Sequence, residues 1–235
     1  MSYHTFLRVI NFSFLTSLIF VINAHASVVI TGTRVIFPSN DKEVTVRVSN
    51  KGNSPVLIQS WIDDGDTKST PDNIRVPFVL TPPINRIDPS SGQTLRIRST
   101  PNKLPTDRES VFWLNVLEIP AVPQEVKKTG TNYLQVAFRS RIKVFWRPNT
   151  LEGTPNKAAE QLIWSKENSG LHVKNPTPYF VSLASVNVDG KSVDGKMIAP
   201  FSDDNYKINV SPGSKLKVNF VNDYGALAKI ESVVR

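Results

Sequence analysis

Residues 133–148 read YLQVAFRSRIKVFWRP. The run is longer than an average strand of ~5–6 residues, yet it carries no helical stripe. Leu134, Val136 and Phe138 alternate with Gln135, Ala137 and Arg139, which is the period of a strand. Beyond Phe138 the odd positions turn basic, at Arg139, Arg141 and Lys143, and Pro148 stops the run. The stretch reads as a strand that closes a sandwich and leads into a second domain. Buried alternation is ordinary in sandwich strands, so periodicity alone leaves open that Leu134, Val136 and Phe138 are core. Lys143 has the opposite parity, so a regular strand turns it to the other face. A bulge or a strong twist near Ser140 would bring it back to theirs.

Working outward, the preceding residues supply six more strand-like runs. Residues 27–37 are rich in β-branched types and end before Pro38. Residues 43–49 alternate, with Val44, Val46 and Val48 on one face. Residues 55–62, 77–80, 94–98 and 111–119 follow, separated by Pro, Gly, Asp and Asn. Seven strands in the first half with no helical period predict an immunoglobulin-like sandwich, here without the Cys-Trp-Cys landmark of antibody domains. Residues 149–157, NTLEGTPNK, are a polar connector. Runs at 162–164, 171–173, 179–188, 208–210, 216–221 and 227–234 predict a second, smaller sandwich over 158–235. The fold class is therefore all-β, with two immunoglobulin-like domains, the first spanning 27–148.

The first 26 residues have the layout of an export leader: Arg8, a mostly apolar run over 9–22, and the cleavage pattern Ala24-His25-Ala26. The apolar run is short of the ~20 residues a membrane span needs and is broken by Asn11, Ser13, Thr16 and Ser17. Cleavage after Ala26 is expected, and no later run could span a bilayer as a helix. Removing the leader takes one charge, Arg8, from a formal net charge of +8. That excess suits solubility. No nucleic-acid motif accompanies it, and export argues against a nucleic-acid partner. The chain has no cysteine, which excludes disulfides, thiol nucleophiles and thiolate zinc sites.

An enzyme is the weaker class. Beyond the leader histidine occurs once, at His172, and a Ser-His-Asp set could form only through it. Neither a GxSxG elbow nor a GxxxxGK[ST] loop is present, and no cofactor is expected. Asp64 and Asp66 begin a calcium-like spacing, but Arg75 stands where the twelfth-position glutamate belongs.

Residues 104–121, LPTDRESVFWLNVLEIPA, carry a resemblance. Asp107, Arg108, Glu109, Asn115 and Pro120 fall in the places of the signature of the periplasmic chaperones that assemble pili with an outer-membrane usher. Thr33-Arg34, Thr81-Pro82-Pro83, Ile142-Lys143-Val144-Phe145, Arg147-Pro148, Asn175-Pro176-Thr177-Pro178-Tyr179 and Asn222-Asp223-Tyr224-Gly225 extend it along the chain. The resemblance implies two immunoglobulin-like domains set as a boomerang around a cleft. It implies a periplasmic location and no catalysis. The partners implied are pilus or fimbrial subunits lacking their last strand, and the usher. Arg34 and Lys143 would bind the subunit's terminal carboxylate. Asn132, Leu134, Val136 and Phe138 would be the strand lent to the subunit, the mode of β-augmentation for which such chaperones are an example. Glu109, Arg147 and Asp223 would form a charge network between domains. The free chain could also self-associate over that strand. A secreted adhesive or structural sandwich protein, or a pilus subunit itself, is the alternative. The absence of cysteine resembles the short-loop branch, while the loop over 120–132 is longer than that branch implies.

Overall fold

The structure, a computed structural model, describes residues 27–101, 103–122, 132, 134–168 and 170–235. The leader and most of the 120–132 loop lie outside the described residues.

The first domain is a sandwich of two sheets. One sheet orders β1 (Val28–Ile30), β3 (Glu43–Asn50), β7 (Gly92–Ser99) and β5 (Phe78–Thr81) as β1-β3-β7-β5. The other orders β2 (Arg34–Pro38), β9 (Phe138–Arg147), β8 (Ser110–Pro120), β4 (Val56–Asp63) and β6 (Ile84–Ile87) as β2-β9-β8-β4-β6. Alternation decides which side of each strand faces inward. Val46 and Val48 of β3 meet Leu95 and Ile97 of β7 in the core, opposite Leu114 and Val116 of β8 and Val144 of β9. The first run read from sequence is two strands in different sheets. Gly32, at φ +89°, turns the chain between β1 and β2. β2 then pairs in parallel with β9, with Arg34 beside Lys143.

The second domain, joined through helix α1 (Pro155–Glu160), has sheets β10-β11-β15 and β13-β12-β16-β17. Here β10 is Ile163–Glu167, β11 Gly170–Lys174, β12 Val181–Val188 and β13 Lys191–Asp194. β14 (Met197–Ile198) pairs with β12. β15 is Asp203–Tyr206, β16 Lys215–Val221 and β17 Leu227–Val233. Its core is separate, around Trp164, Leu171, Val173, Val186, Leu216 and Val218. Two expectations fail here. Residues 208–210 form no strand, although Ile208 and Val210 are buried. Their place in the sheet goes to β15, whose sequence Asp-Asp-Asn-Tyr carries no apolar alternation. The connector also contributes a helix: Thr154 caps it by accepting from the Lys157 N–H, and Ala158 and Ala159 seal the end of the core.

Candidate functional site

β9 organises the site. Its register with β8 runs unbroken from Glu118–Phe138 to Ser110–Trp146, so there is no bulge near Ser140. The parity conflict resolves differently: the strand uses both faces. The even face, with Ile142, Val144 and Trp146, packs into the sandwich core. The odd face carries Arg139, Arg141, Lys143, Phe145 and Arg147, and its latter part meets the second domain.

Before Phe138 the chain has no strand pairing over residues 134–137. Leu134 is 83% exposed, Val136 49% and Phe138 62%. The core reading of these three is overturned, because the even face leaves the sandwich at its lower end and continues into water. Asn132 is exposed as well. Gln135 tethers the ribbon, donating to the Pro120 carbonyl at 2.6 Å. From residue 138 to 142, β9 bonds β8 on one side, while its pairing with β2 begins only at Lys143. One backbone edge is therefore open up to the point where Arg34 and Lys143 stand side by side.

These two cations line a cleft of about 290 Å³ with Thr33, Trp113, Val221 and Gly225. Arg34 Nη1 donates to the Val221 carbonyl at 2.9 Å, and its guanidinium lies 5.7 Å from the Phe145 ring. Lys143 Nζ lies 3.5 Å from the Ser182 hydroxyl. Among the described residues neither cation has a carboxylate within salt-bridge distance. Burial pushes the Lys143 ammonium below the ordinary lysine range, and the Arg34 charge pushes it further. Burial likewise lowers Arg34, against the upward pull of Asp223 and Glu109. The neighbouring Arg141 is in a different position: it pairs with the buried Asp63, stacks 4.8 Å from the Trp113 ring, and is thereby neutralised. Asn115 donates to the same Asp63 at 2.7 Å. Burial opposes the Asp63 charge, but Arg141, Asn115 and the Gly65 N–H together hold its carboxyl below the usual range.

Glu109, Arg147 and Asp223 meet between the domains. Arg147 Nε donates to Glu109 at 2.6 Å, and its two terminal nitrogens donate to Asp223 at 2.7 and 3.0 Å. Glu109 also accepts from the Phe180 N–H at 2.8 Å, while its own N–H donates to the Pro178 carbonyl. Burial lowers the Arg147 guanidinium, but the two carboxylates outweigh it and hold it above the ordinary arginine range. Burial pushes the Glu109 carboxyl up, against Arg147 and the Phe180 N–H.

Two motifs noted only as resemblance acquire physical roles. Asn175, fully buried, donates to the Tyr179 and Ala199 carbonyls and accepts from the Thr177 N–H. It fixes the turn that presents Pro178 and Phe180 to Glu109. Asn222 Oδ1 accepts from the N–H groups of Tyr224 and Ala226, both at 3.0 Å, closing the turn that carries Asp223. His172 lies elsewhere, on β11, between Ser165 at 3.2 Å and Asp203 at 3.2 Å, with Glu167 at 3.4 Å. Two carboxylates flank its ring on the side of the sheet away from the core, remote from the cleft residues.

A family model described as "Pili and flagellar-assembly chaperone, PapD N-terminal domain" matches residues 27–152, and one described as "Pili assembly chaperone PapD, C-terminal domain" matches 157–232. The probable fimbrial chaperone YadV of Escherichia coli K12 is 47% identical over 225 residues, covering 90% of this chain and 92% of that one. The chaperone protein FimB/FhaD of Bordetella pertussis is 43% identical, covering 90% and 89%. The crystal structure of the Pseudomonas aeruginosa CupB2 chaperone superposes with a TM-score of 0.76 at 41% identity, covering 88% of this chain and all of that one. The Salmonella enterica SafB chaperone, solved in complex with the SafA pilin, gives 0.77 at 31% identity over 88% and 96%.

Proposed function

This chain belongs to the PapD-like pilus-assembly chaperones, and from that premise we propose that it is exported to the periplasm, where it holds fimbrial subunits folded and capped until an outer-membrane usher takes them. It does so by binding rather than by catalysis. The observation that carries the reading is the continuity of three features: an exposed apolar ribbon leading into β9, an open backbone edge on β9, and, where β2 closes that edge, two cations that among the described residues have no carboxylate partner.

The chemistry follows from what a subunit without its last strand lacks. Its unpaired backbone and wet apolar groove invite aggregation. A lent strand supplies the missing ladder, and alternate side chains fill the groove. Asn132, Leu134, Val136 and Phe138 are the positions assigned to that strand, which over seven residues reaches ~23 Å at ~3.3 Å each. Burying the three apolar side chains contributes very roughly 5–9 kcal/mol gross, at ~1.5–3 each. Association and ordering offset much of it.

Arg34 and Lys143 are assigned to the subunit's terminal carboxylate. A chain that ends there and pairs along the open edge of β9 lies end to end with β2, and so runs parallel to β9. Charge-assisted bonds of ~1.5–3 kcal/mol then set the register. Register matters because a slip of one residue would aim the wrong face of the ribbon into the groove.

The test is co-expression with a fimbrial subunit from the chain's own gene cluster, followed by capture of the complex from the periplasm. Arg34→Ala and Lys143→Ala are expected to give folded protein that captures no subunit. Phe138→Glu is expected to abolish capture while leaving the melting temperature of the free chain in place, since Phe138 is exposed there. Subunit protected at wild-type levels by either cation variant would sink the carboxylate assignment. Loss of the fold in Phe138→Glu would sink the ribbon.

A further inference from the structure

The turn over residues 222–226 presents an aromatic ring to water on a backbone that cannot yield. Tyr224 is 92% exposed and Leu227, three residues on, is 70% exposed. The turn itself is fixed from several sides. Asn222 bonds the N–H groups of Tyr224 and Ala226, and the Gly225 N–H donates to the Asn222 carbonyl at 2.9 Å. Asp223 is held by Arg147. Gly225, at φ +80°, presses so closely on the turn before β2 that a Cβ there would come within 2.4 Å of Thr33 Oγ1. With the backbone fixed, contact costs only the side chain's own rotamer freedom, and an exposed aromatic ring on a set turn is the residue type that anchors interfaces.

The patch is continuous with the cleft. Leu227 stands opposite Val221 in the β16–β17 ladder. Val221 lines the cleft and accepts the Arg34 hydrogen bond, and Gly225 lines it too. A chain whose carboxylate rests on Arg34 and Lys143 therefore ends beside this turn.

We propose that Tyr224 and Leu227 are a second-domain contact for the fimbrial subunit, packing on an apolar surface next to its C-terminal residue. This rests on the carboxylate reading above and adds a specificity element to it. The ribbon recognises the subunit's groove, and the turn inspects the outer surface beside its tail.

The experiment places the photo-crosslinking residue p-benzoylphenylalanine at position 224, and separately at position 233. Val233 lies at the far end of β17 and is 52% exposed, so it serves as the control. The chain is co-expressed with the subunit from its own gene cluster. Crosslinking to the subunit is expected from 224 and not from 233. Tyr224→Ala is expected to speed dissociation of the complex about tenfold with the melting temperature of the free chain unchanged, and Tyr224→Phe to stay within twofold. Crosslinking from 224 only to a second copy of the chain, or to nothing, would overturn the proposal. So would an unchanged complex lifetime in Tyr224→Ala. Lys143→Ala separates the two levels: a complex lost in that variant but indifferent to Tyr224 refutes this contact alone, and a complex that survives it refutes the carboxylate reading and this contact with it.

Discussion

Lys143 and Arg147 leave β9 on the same face, four residues apart, and both are drawn partly out of water. Their surroundings differ. Arg147 is clasped by Glu109 and Asp223, with both carboxylates within 2.7 Å, and its charge is held more firmly than in solution. Lys143 faces a serine hydroxyl and a second cation, and its charge is held less firmly. Desolvation opposes both charges; only one site offsets it from within the chain. The difference separates a charge answered within the fold from one left open there, the one the proposed function assigns to a partner. A half-buried cation with no carboxylate against it should cost stability in the free protein, and on the proposed function a carboxylate arriving from outside would recover that cost.

The largest expected effect lies on the clasped side. Glu109→Ala leaves the Arg147 guanidinium half satisfied and strands the Phe180 N–H, so it should destabilise the protein by about 3–5 kcal/mol in a urea titration. Asp223→Ala should cost less, about 1–2 kcal/mol, because that carboxylate is 29% exposed and water can replace it. If Glu109→Ala destabilises no more than Lys143→Ala, the surroundings of Arg147 and Lys143 are not distinct in kind.

The opposite sign is expected at Lys143. Lys143→Met removes a partly buried ammonium and keeps its apolar stem, so the free chain should gain about 1 kcal/mol while losing subunit capture. Lysine is the cleaner choice, since Arg34 also bonds the Val221 carbonyl and its removal would orphan that group. A loss of stability in Lys143→Met would mean that the cleft is built around this charge, and the contrast with Arg147 would fail.

How far could this contrast be read from the chain itself? The sandwich was legible, because β3 and β7 alternate cleanly with apolar inward faces and β8 is a richly apolar run between turn signals. The split of the first run into β1 and β2 falls at Thr31-Gly32-Thr33, a polar break short enough to be read through as one β-rich run. β15 was invisible because it pairs through a polar sequence, while Ile208 and Val210 mimic a strand and fill the core from a loop. At the site, period two set Leu134, Val136 and Phe138 apart from their neighbours, but their exposure depends on where the chain leaves the core, which periodicity does not encode. The opposite parity of Lys143 was itself the correct signal; only the bulge invoked to explain it away was not. The pairing of Arg34 with Lys143 spans over a hundred residues, and local pattern carries no trace of it. It came from the resemblance alone. The turn at Tyr224 was quoted in that resemblance without a role, and its exposure needed coordinates.

The smallest expected effect concerns protons. Burial and the Arg34 charge lower the Lys143 ammonium in the free folded chain relative to the unfolded one. As pH rises through that lowered value, the folded protein sheds its proton first and the unfolded chain still holds one, so stability of the free chain rises with pH over that window. A bound carboxylate works the other way, holding the proton on. Within the window binding therefore takes up a proton, and affinity for the subunit falls as pH rises, by up to tenfold per unit for one proton and about threefold near the start of the window. The fall should begin below the pH at which an ordinary lysine titrates. Lys143→Arg should flatten it, because a guanidinium stays charged throughout. Calorimetric titrations in two buffers of different ionisation enthalpy would count the proton directly. Affinity that stays level in the wild type to the top of the lysine range would place Lys143 with Arg147 after all, as a charge already answered within the fold.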